Sequence, residues 1–165
     1  MNISSKSVSR LVSAFIYLAM AAAVVWAGSG LVDYSLDTKF YKDYLLKWEV
    51  SINALNTKNE PWPEFSENDQ VHYMDKVVRM MVRHNIAVPV SNTKYPFLYQ
   101  LKRVWGKTDE IFVLCFQNRI FLYGISKKTL EKIDVYVDGV SDLSKGNLTG
   151  GMKNSHGHYT GKLIL

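Results

Sequence analysis

Residues 11–32 read LVSAFIYLAMAAAVVWAGSGLV, a stretch of 22 residues without a charged side chain. A helix rises about 1.5 Å per residue, so about 20 apolar residues cover the roughly 30 Å hydrocarbon core of a bilayer. The stretch therefore predicts a transmembrane helix. The side chains expected to anchor it are apolar or aromatic: Leu11, Phe15, Tyr17, Leu18, Val24, Val25 and Trp26.

The charges on either side of this stretch predict its orientation. Lys6 and Arg10 precede it, whereas Asp33 and Asp37 follow it. Because basic residues favour the cytoplasmic side of a span, the N-terminus is expected in the cytoplasm of a bacterial cell and the rest outside its inner membrane. The predicted parts are a cytoplasmic basic flank (1–10), a transmembrane helix (11–32) and one periplasmic or extracellular domain (33–165).

A cleaved secretory signal is the alternative interpretation of the same stretch. A basic start, an apolar core and the small residues Ala27, Gly28 and Ser29 are the parts of such a signal. The apolar core is longer than is usual in secretory signals, which favours a retained anchor. Both interpretations export the remaining residues.

Small residues recur every four positions within the predicted span, at Ala19, Ala23 and Ala27. This spacing lets a second helix approach closely, so the three alanines are helix-packing candidates. An alanine-rich span without a helical partner is the alternative.

Beyond the span the apolar residues follow a helical period. The stripe consists of Tyr41, Tyr44, Leu45, Trp48, Ile52 and Leu55. Neither glycine nor proline occurs in residues 31–60, so this amphipathic helix is expected to continue the membrane helix directly. Residues 56–63 (NTKNEPWP) end it, because proline breaks helices.

Aromatic residues are concentrated just after the span, at Tyr34, Phe40, Tyr41, Tyr44 and Trp48. Two interpretations are open. The residues either face the core of the domain, or they form a contact surface for another membrane or envelope subunit, because interfaces are enriched in aromatic side chains.

The next segments alternate between helix and strand patterns. Ser66 is expected to cap a second helix that runs to about Asn85. Residues 97–105, 110–116 and 119–123 are rich in aromatic and β-branched side chains. They predict an antiparallel meander of three strands.

The C-terminal part predicts one more helix. Gly124 is expected to end the third strand, and Ser126 to cap a short helix that reaches about Val137. Residues 162–165 are a candidate fourth strand. The expected class is α+β: a transmembrane helix continuing into an amphipathic helix, then a second helix, a small antiparallel sheet and a short capped helix.

Composition narrows the possible partners. The net charge is only +5, and no run of Lys or Arg exceeds two residues, whereas nucleic-acid binding needs a concentrated basic surface. The single cysteine, Cys115, excludes an intramolecular disulfide and is expected to be a buried apolar residue. We expect the membrane and other envelope proteins as partners, and no nucleic acid.

Two groups of residues are weak candidates for metal ligands. Asp138, Asp142 and Asn147 share a glycine-containing loop whose oxygens suit Ca²⁺, but their spacing is not that of an EF-hand and a plain turn is the favoured alternative. His156 and His158 supply only two nitrogens, fewer than a metal site needs. No catalytic motif occurs, so neither an enzyme nor a resident cofactor is expected.

The C-terminal half carries a family resemblance. Residues 120–129 (IFLYGISKKT), then Ile133-Asp134, Asp138-Gly139 and residues 146–148 (GNL), give a strand, a capped helix and an acidic-glycine loop in that order. With the N-terminal helix, this resembles type IV pilins and type II secretion pseudopilins. The resemblance implies a structural or accessory subunit of a filament or secretion assembly.

One part of the family signature is missing. Pilins carry a leader that ends in glycine, followed by Phe or Met and, four residues later, a glutamate inside the helix. Residues 11–32 contain no glutamate, and no glycine precedes them. The resemblance therefore implies an uncleaved relative. A membrane-tethered binding or sensing module and a signal-bearing exported domain are the alternatives.

Overall fold

The computed structural model describes residues 5–66, 68–106, 108–151, 153 and 157–165. The chain divides into two units, Met1–Ser35 and Leu36–Leu165. The first unit holds the apolar part of helix α1 (Ser5–Lys39). The second is an α+β domain, which confirms the predicted fold class.

Helix α1 leads into a π-helical turn (Phe40–Leu45) and then into α2 (Leu46–Asn56). The helical backbone is thus unbroken from Ser5 to Asn56, as the absence of proline and glycine from residues 31–60 predicts. The wider π turn shifts the apolar stripe. Phe40 is consequently buried, whereas Tyr41, expected on the stripe, is only half-buried.

Two further helices belong to the domain. Helix α3 (Gln70–Arg83) begins later than expected: its cap is Asp69, whose carboxylate accepts a hydrogen bond from the backbone N–H of His72, and not Ser66. Helix α4 (Lys127–Asp138) begins at the predicted cap, since the Ser126 hydroxyl accepts from the backbone N–H of Thr129.

Five antiparallel strands form one sheet in the order β1-β2-β3-β5-β4. Their bounds are β1 (Leu98–Leu101), β2 (Asp109–Phe116), β3 (Arg119–Ile125), β4 (Leu148–Gly150) and β5 (Tyr159–Ile164). The predicted meander corresponds to β1, β2 and β3, and the candidate fourth strand lies in β5. The expected count of three or four was too low, because β4 has only three residues and carries no periodic pattern.

Gly124 does not end the third strand, contrary to expectation. Strand β3 continues to Ile125, and its pairing with β5 shifts register between Tyr123 and Ile125. Gly124 has φ +82°, and a Cβ there would lie 2.1 Å from the backbone oxygen of Glu110. Only glycine combines that backbone conformation with so close an approach.

The core lies between the helices and one face of the sheet. Tyr44, Trp48 and Ile52 of the helical stretch are buried together with α3 and α4 residues and alternate residues of the strands. The strand residues in this core include Ile111, Val113, Cys115, Ile120, Leu122 and Leu163. Apolar burial of this kind is the main favourable contribution to folding.

Candidate functional site

The apolar stretch of α1 exposes its side chains. Residues 11–32 are exposed apart from Ser29, and Phe15 and Trp26 expose 73% and 79% of their surface. Within the described residues, one helical stretch (Ser9–Asn56) contains a window apolar enough to cross a membrane, with a mean hydropathy of 2.0 and no buried residue. The seven predicted anchor residues and the alanines Ala19, Ala23 and Ala27 all lie on this exposed stretch.

A buried charge cluster lies at the start of the domain. The Asp37 carboxylate is completely buried and receives two cations: Lys132 Nζ lies 2.6 Å from its Oδ2, and Arg103 Nη2 lies 2.6 Å from its Oδ1. Thr129 donates its hydroxyl to Asp37 Oδ1 at 3.2 Å, and Arg103 donates to Thr129. A buried carboxylate needs such partners, because removing it from water is strongly unfavourable.

A second carboxylate extends the cluster. Asp109 Oδ2 lies 3.8 Å from Arg103 Nη2 and accepts a 3.3 Å hydrogen bond from the backbone N–H of Ser126. Its Oδ1 lies 3.7 Å from His158 Nδ1. Two carboxylates thus face two basic side chains, and the cluster joins α1, the segment after β1, the start of β2 and α4.

Polar and aromatic contacts next to the charge cluster also join the end of α1 and the π turn to α4. The hydroxyls of Thr38 and Tyr136 are 2.8 Å apart, and the ring of Tyr41 stacks on that of Tyr136 at 5.2 Å between centroids. Burial, with a smaller contribution from the charge of Glu49, raises the pKa of the Tyr41 hydroxyl. The end of α1 and the π turn are consequently fixed against α4.

The five aromatic partner-contact candidates differ in how far the structure buries them. Phe40, Tyr44 and Trp48 are buried in the domain core, where Phe40 and Tyr44 also contact Tyr99. The contact-surface interpretation is wrong for these three residues, because their rings are covered by the chain itself. Tyr41 is half-buried against Tyr136, and Tyr34 of the first unit is exposed.

The acidic-glycine loop after α4 is a hydrogen-bonded turn. Asp138 accepts hydrogen bonds from the backbone N–H groups of Asn147 and Leu148, and these two bonds lower the pKa of its carboxyl. Asp142 accepts from the hydroxyl and the backbone N–H of Ser144, which lower its pKa likewise. The carboxylates thus stabilise the turn, as in the favoured alternative.

The side chains of Asp138 and Asp142 bond the loop backbone, and no group of three or more acidic, histidine or cysteine residues suited to a metal occurs in the described part of the chain. Of the histidine pair, His158 lies beside Asp109, and His156 falls outside the described residues. Burial raises the pKa of the neighbouring Asp134 carboxyl.

Two of the grooves on the described part of the domain have aliphatic or aromatic walls. One, of about 420 Å³, is lined by α2 and the segment before β1 and is mainly aliphatic, with Lys42 and Lys47 beside it. The other, of about 480 Å³, is aromatic: Trp62, Phe65, Phe116 and Phe121 line it together with the β2–β3 turn and Arg119. Apolar walls with a few polar groups are typical of binding sites.

The sequence did not point to the charge cluster, although one signal was present. Asp37 occupies the same helical face as Tyr41, Tyr44 and Trp48, four, seven and eleven residues further on. A charged residue on an apolar stripe requires a buried partner. Its partners, Arg103 and Lys132, are 66 and 95 residues away and show no pattern that links them to it.

No family model matches this chain, and no curated protein or solved structure is significantly similar to it. The exposed apolar helix, the charge cluster and the grooves are therefore the features of the chain that bear on its function.

Proposed function

We propose that this chain is a single-pass protein of the bacterial inner membrane and serves as a structural or accessory subunit of an envelope assembly. Its N-terminus lies in the cytoplasm, and its domain lies in the periplasm or outside the cell. A pilin-like filament or secretion system is the most specific form of the proposal. The observation that carries it is the exposed, uncharged stretch of α1 at residues 11–32.

The exposure of residues 11–32 is the physical reason for placing this stretch in a membrane. About 20 contiguous apolar residues in water would carry a large unfavourable hydration free energy, which the hydrocarbon core of a bilayer removes. Trp26 near the domain end suits the interface between lipid and water. Lys6 and Arg10 before the helix support the cytoplasmic N-terminus.

The charge cluster supports a structural role for the domain. Asp37, Arg103 and Lys132 fix the last turn of α1 to the segment after β1 and to α4. A firmly held helix entering the domain suits a subunit whose domain must keep a defined geometry within an assembly. The long helix followed by an antiparallel sheet agrees with the pilin-like resemblance, although this helix lacks the family's glutamate.

A membrane-tethered binding or sensing module is the second candidate. The aromatic groove lined by Trp62, Phe65, Phe116 and Phe121 favours it, because aromatic rings beside Arg119 can hold a planar or anionic ligand. In that case a small ligand raises the melting temperature of the protein. A subunit of an assembly responds to its protein partners instead.

Two measurements on membrane-fraction protein test the proposal. Intact mass with N-terminal sequencing shows whether residues 1–29 are retained, and native mass spectrometry in mild detergent reports bound partners. We expect the full 18.9 kDa chain in complexes larger than a monomer. A chain cut after residues 27–29 would overturn the anchor, and a monodisperse full-length monomer would overturn the subunit role.

A further inference from the structure

We propose that the aliphatic groove beside α2 receives the acidic-glycine loop of a second copy of this chain. The inference rests on the proposed function as a subunit of an assembly and names the surface through which copies meet. The aliphatic groove is formed by Leu46, Val50, Ala87 and Val90, with Lys42 and Lys47 beside them. The acidic knob, as we term its counterpart, comprises residues 138–142 (DGVSD).

The aliphatic groove is open and already shaped. Val50 and Val90 expose 62% and 82% of their surface and line the same groove, and contiguous exposed apolar surface is typical of interaction sites. The Ser51 hydroxyl donates to the backbone oxygen of Ala87 at 2.8 Å and so holds the two walls together. With a volume of about 420 Å³, the groove has room for an aliphatic side chain.

The charged residues of the aliphatic groove are two lysines, Lys42 and Lys47. Neither Lys42 nor Lys47 forms an ion pair with a carboxylate anywhere in the described residues. Asp43 and Glu49 of the same helical stretch are not among the lining residues. An occupant that carries carboxylates beside an apolar side chain would complement this surface.

The acidic knob carries an apolar side chain beside carboxylates. Val140 exposes 65% of its surface and stands between Asp138 and Asp142 in the sequence. Asp142 is exposed, and hydrogen bonds lower the pKa values of both aspartates, which keeps them ionised well below neutral pH. The exposed Val140 and Asp142 thus match the aliphatic groove and its lysines, while Asp138 adds negative charge behind them.

The acidic knob is also held rigid before any contact forms. The backbone N–H of Asp142 donates to Asp134 Oδ2 at 2.7 Å, and Asp138 accepts from Asn147 and Leu148 at 2.9 Å each. A loop fixed in this way loses little conformational entropy on binding, which favours association. Knob and groove are different surfaces, so the contact is heterologous and can extend over many copies.

Disulfide trapping in membranes tests the contact with the full chain. Two differently tagged copies are expressed together, one with Val140→Cys and the other with Val90→Cys, and copper phenanthroline is added. Cys115 is buried and does not compete. Because a disulfide needs Cα atoms about 5.5 Å apart, we expect a mixed dimer on gels only if knob and groove meet.

A control uses Val82→Cys in place of Val90→Cys, since Val82 is also exposed, at 62% against 82% for Val90, but lies outside the aliphatic groove. We expect about tenfold less mixed dimer with it, because docking raises the local concentration of the paired thiols. Adding Lys42→Glu and Lys47→Glu to the Val90→Cys copy should lower trapping about tenfold through like-charge repulsion. These substitutions lie on the surface and are checked for folding by circular dichroism.

The outcomes separate this inference from the proposed function. Trapping that equals the Val82→Cys control, or that the two lysine substitutions leave unchanged, would overturn the contact. If the chain still forms larger complexes in native mass spectrometry, the subunit role stands while this surface is rejected. A monomer that gives no mixed dimer rejects both.

Discussion

Lys132 Nζ and Asp37 Oδ2 lie 2.6 Å apart, although 95 residues separate them in the chain. Arg103 approaches the other oxygen of the same carboxylate at the same distance. The side chains of Asp37 and Arg103 are 0% and 9% exposed, so water screens the contact little. The last turn of α1 is therefore bound to α4 and to the segment after β1 by charges that lack bulk solvation.

Removal of the central carboxylate should be strongly destabilising. Asp37→Ala leaves Arg103 and Lys132 next to each other without their shared counter-ion, and breaking such a buried pair costs about 3–5 kcal/mol. Urea unfolding of the full chain in mild detergent, followed by near-ultraviolet circular dichroism, measures the loss. The exposed Asp43 is a matched control, and Asp43→Ala should change stability by less than about 0.5 kcal/mol.

A quadruple variant separates the energy of the pair from the penalty of burying charge. Asp37→Leu combined with Arg103→Met, Lys132→Met and Asp109→Asn removes all four charges, because Arg103 is also the partner of the buried Asp109 carboxylate. Replacements of this kind are often neutral or stabilising. We expect the quadruple variant to be clearly more stable than Asp37→Ala. Equal stability of the two would contradict the idea that stranded cations cause the loss.

Glycine substitutions should have unequal effects at two positions of similar backbone geometry. Gly124 and Gly139 have φ angles of +82° and +79°, but only at Gly124 does the added Cβ meet another atom, the backbone oxygen of Glu110. Gly139→Ala should cost about 1 kcal/mol, from the left-handed conformation alone. Gly124→Ala should cost more than about 3 kcal/mol, because two backbone segments must separate.

Melting temperatures of the two variants test this difference. A loss at Gly124→Ala no larger than that at Gly139→Ala would show that β2 and β3 tolerate separation at this point. The close pairing of Glu110 with the β3 segment would then contribute little to the fold.

Local patterns explain which parts of the fold were predictable. The helical stripe and the alternating residues of β2 and β3 repeat over one element, and Ser126 caps α4 through a residue only three positions away. Periodicity nevertheless could not decide whether Phe40, Tyr44 and Trp48 face a core or a partner, because both surfaces produce the same stripe. That distinction depends on residues far along the chain, such as Tyr99.

Contacts that leave no local pattern in the sequence could not be predicted from it. Strand β4 exists because Leu148–Gly150 pairs with β5, and three residues carry no period. The Asp37 cluster depends on three segments that meet only in the folded domain. Asp69 replaces Ser66 as the cap of α3 because its own carboxylate is the one within reach of the His72 N–H.

Alkaline pH should destabilise the domain. Burial raises the pKa of the Cys115 thiol well above its ordinary value of 9.0, and burial likewise raises the pKa values of the Tyr44 and Tyr73 hydroxyls. These groups stay protonated in the folded state but ionise in the unfolded chain. Their stabilisation is therefore complete below about pH 9 and is lost as pH rises, by about 1.4 kcal/mol per pH unit for the thiol.

Unfolding free energies measured between pH 7 and 11 test this dependence. Cys115→Ala should flatten the curve between about pH 9 and 10, because only the tyrosine hydroxyls, which ionise at higher pH, then contribute. An unchanged slope in this variant would show that the thiol ionises equally in both states. In the parent chain, alkylation of Cys115 should require unfolding, since its thiol is completely buried.

Charges placed inside the span test whether residues 11–32 cross a bilayer. Leu18→Lys with Val25→Lys should remove the chain from carbonate-washed membranes, because each lysine near the helix centre costs about 2.5–3.5 kcal/mol of insertion free energy. Immunoblotting of the washed membranes measures the effect. The control is Val71→Lys with Val82→Lys, two exposed positions of the domain, which should leave the chain membrane-bound. Recovery of the span variant at the parent level would contradict a transmembrane role for this helix.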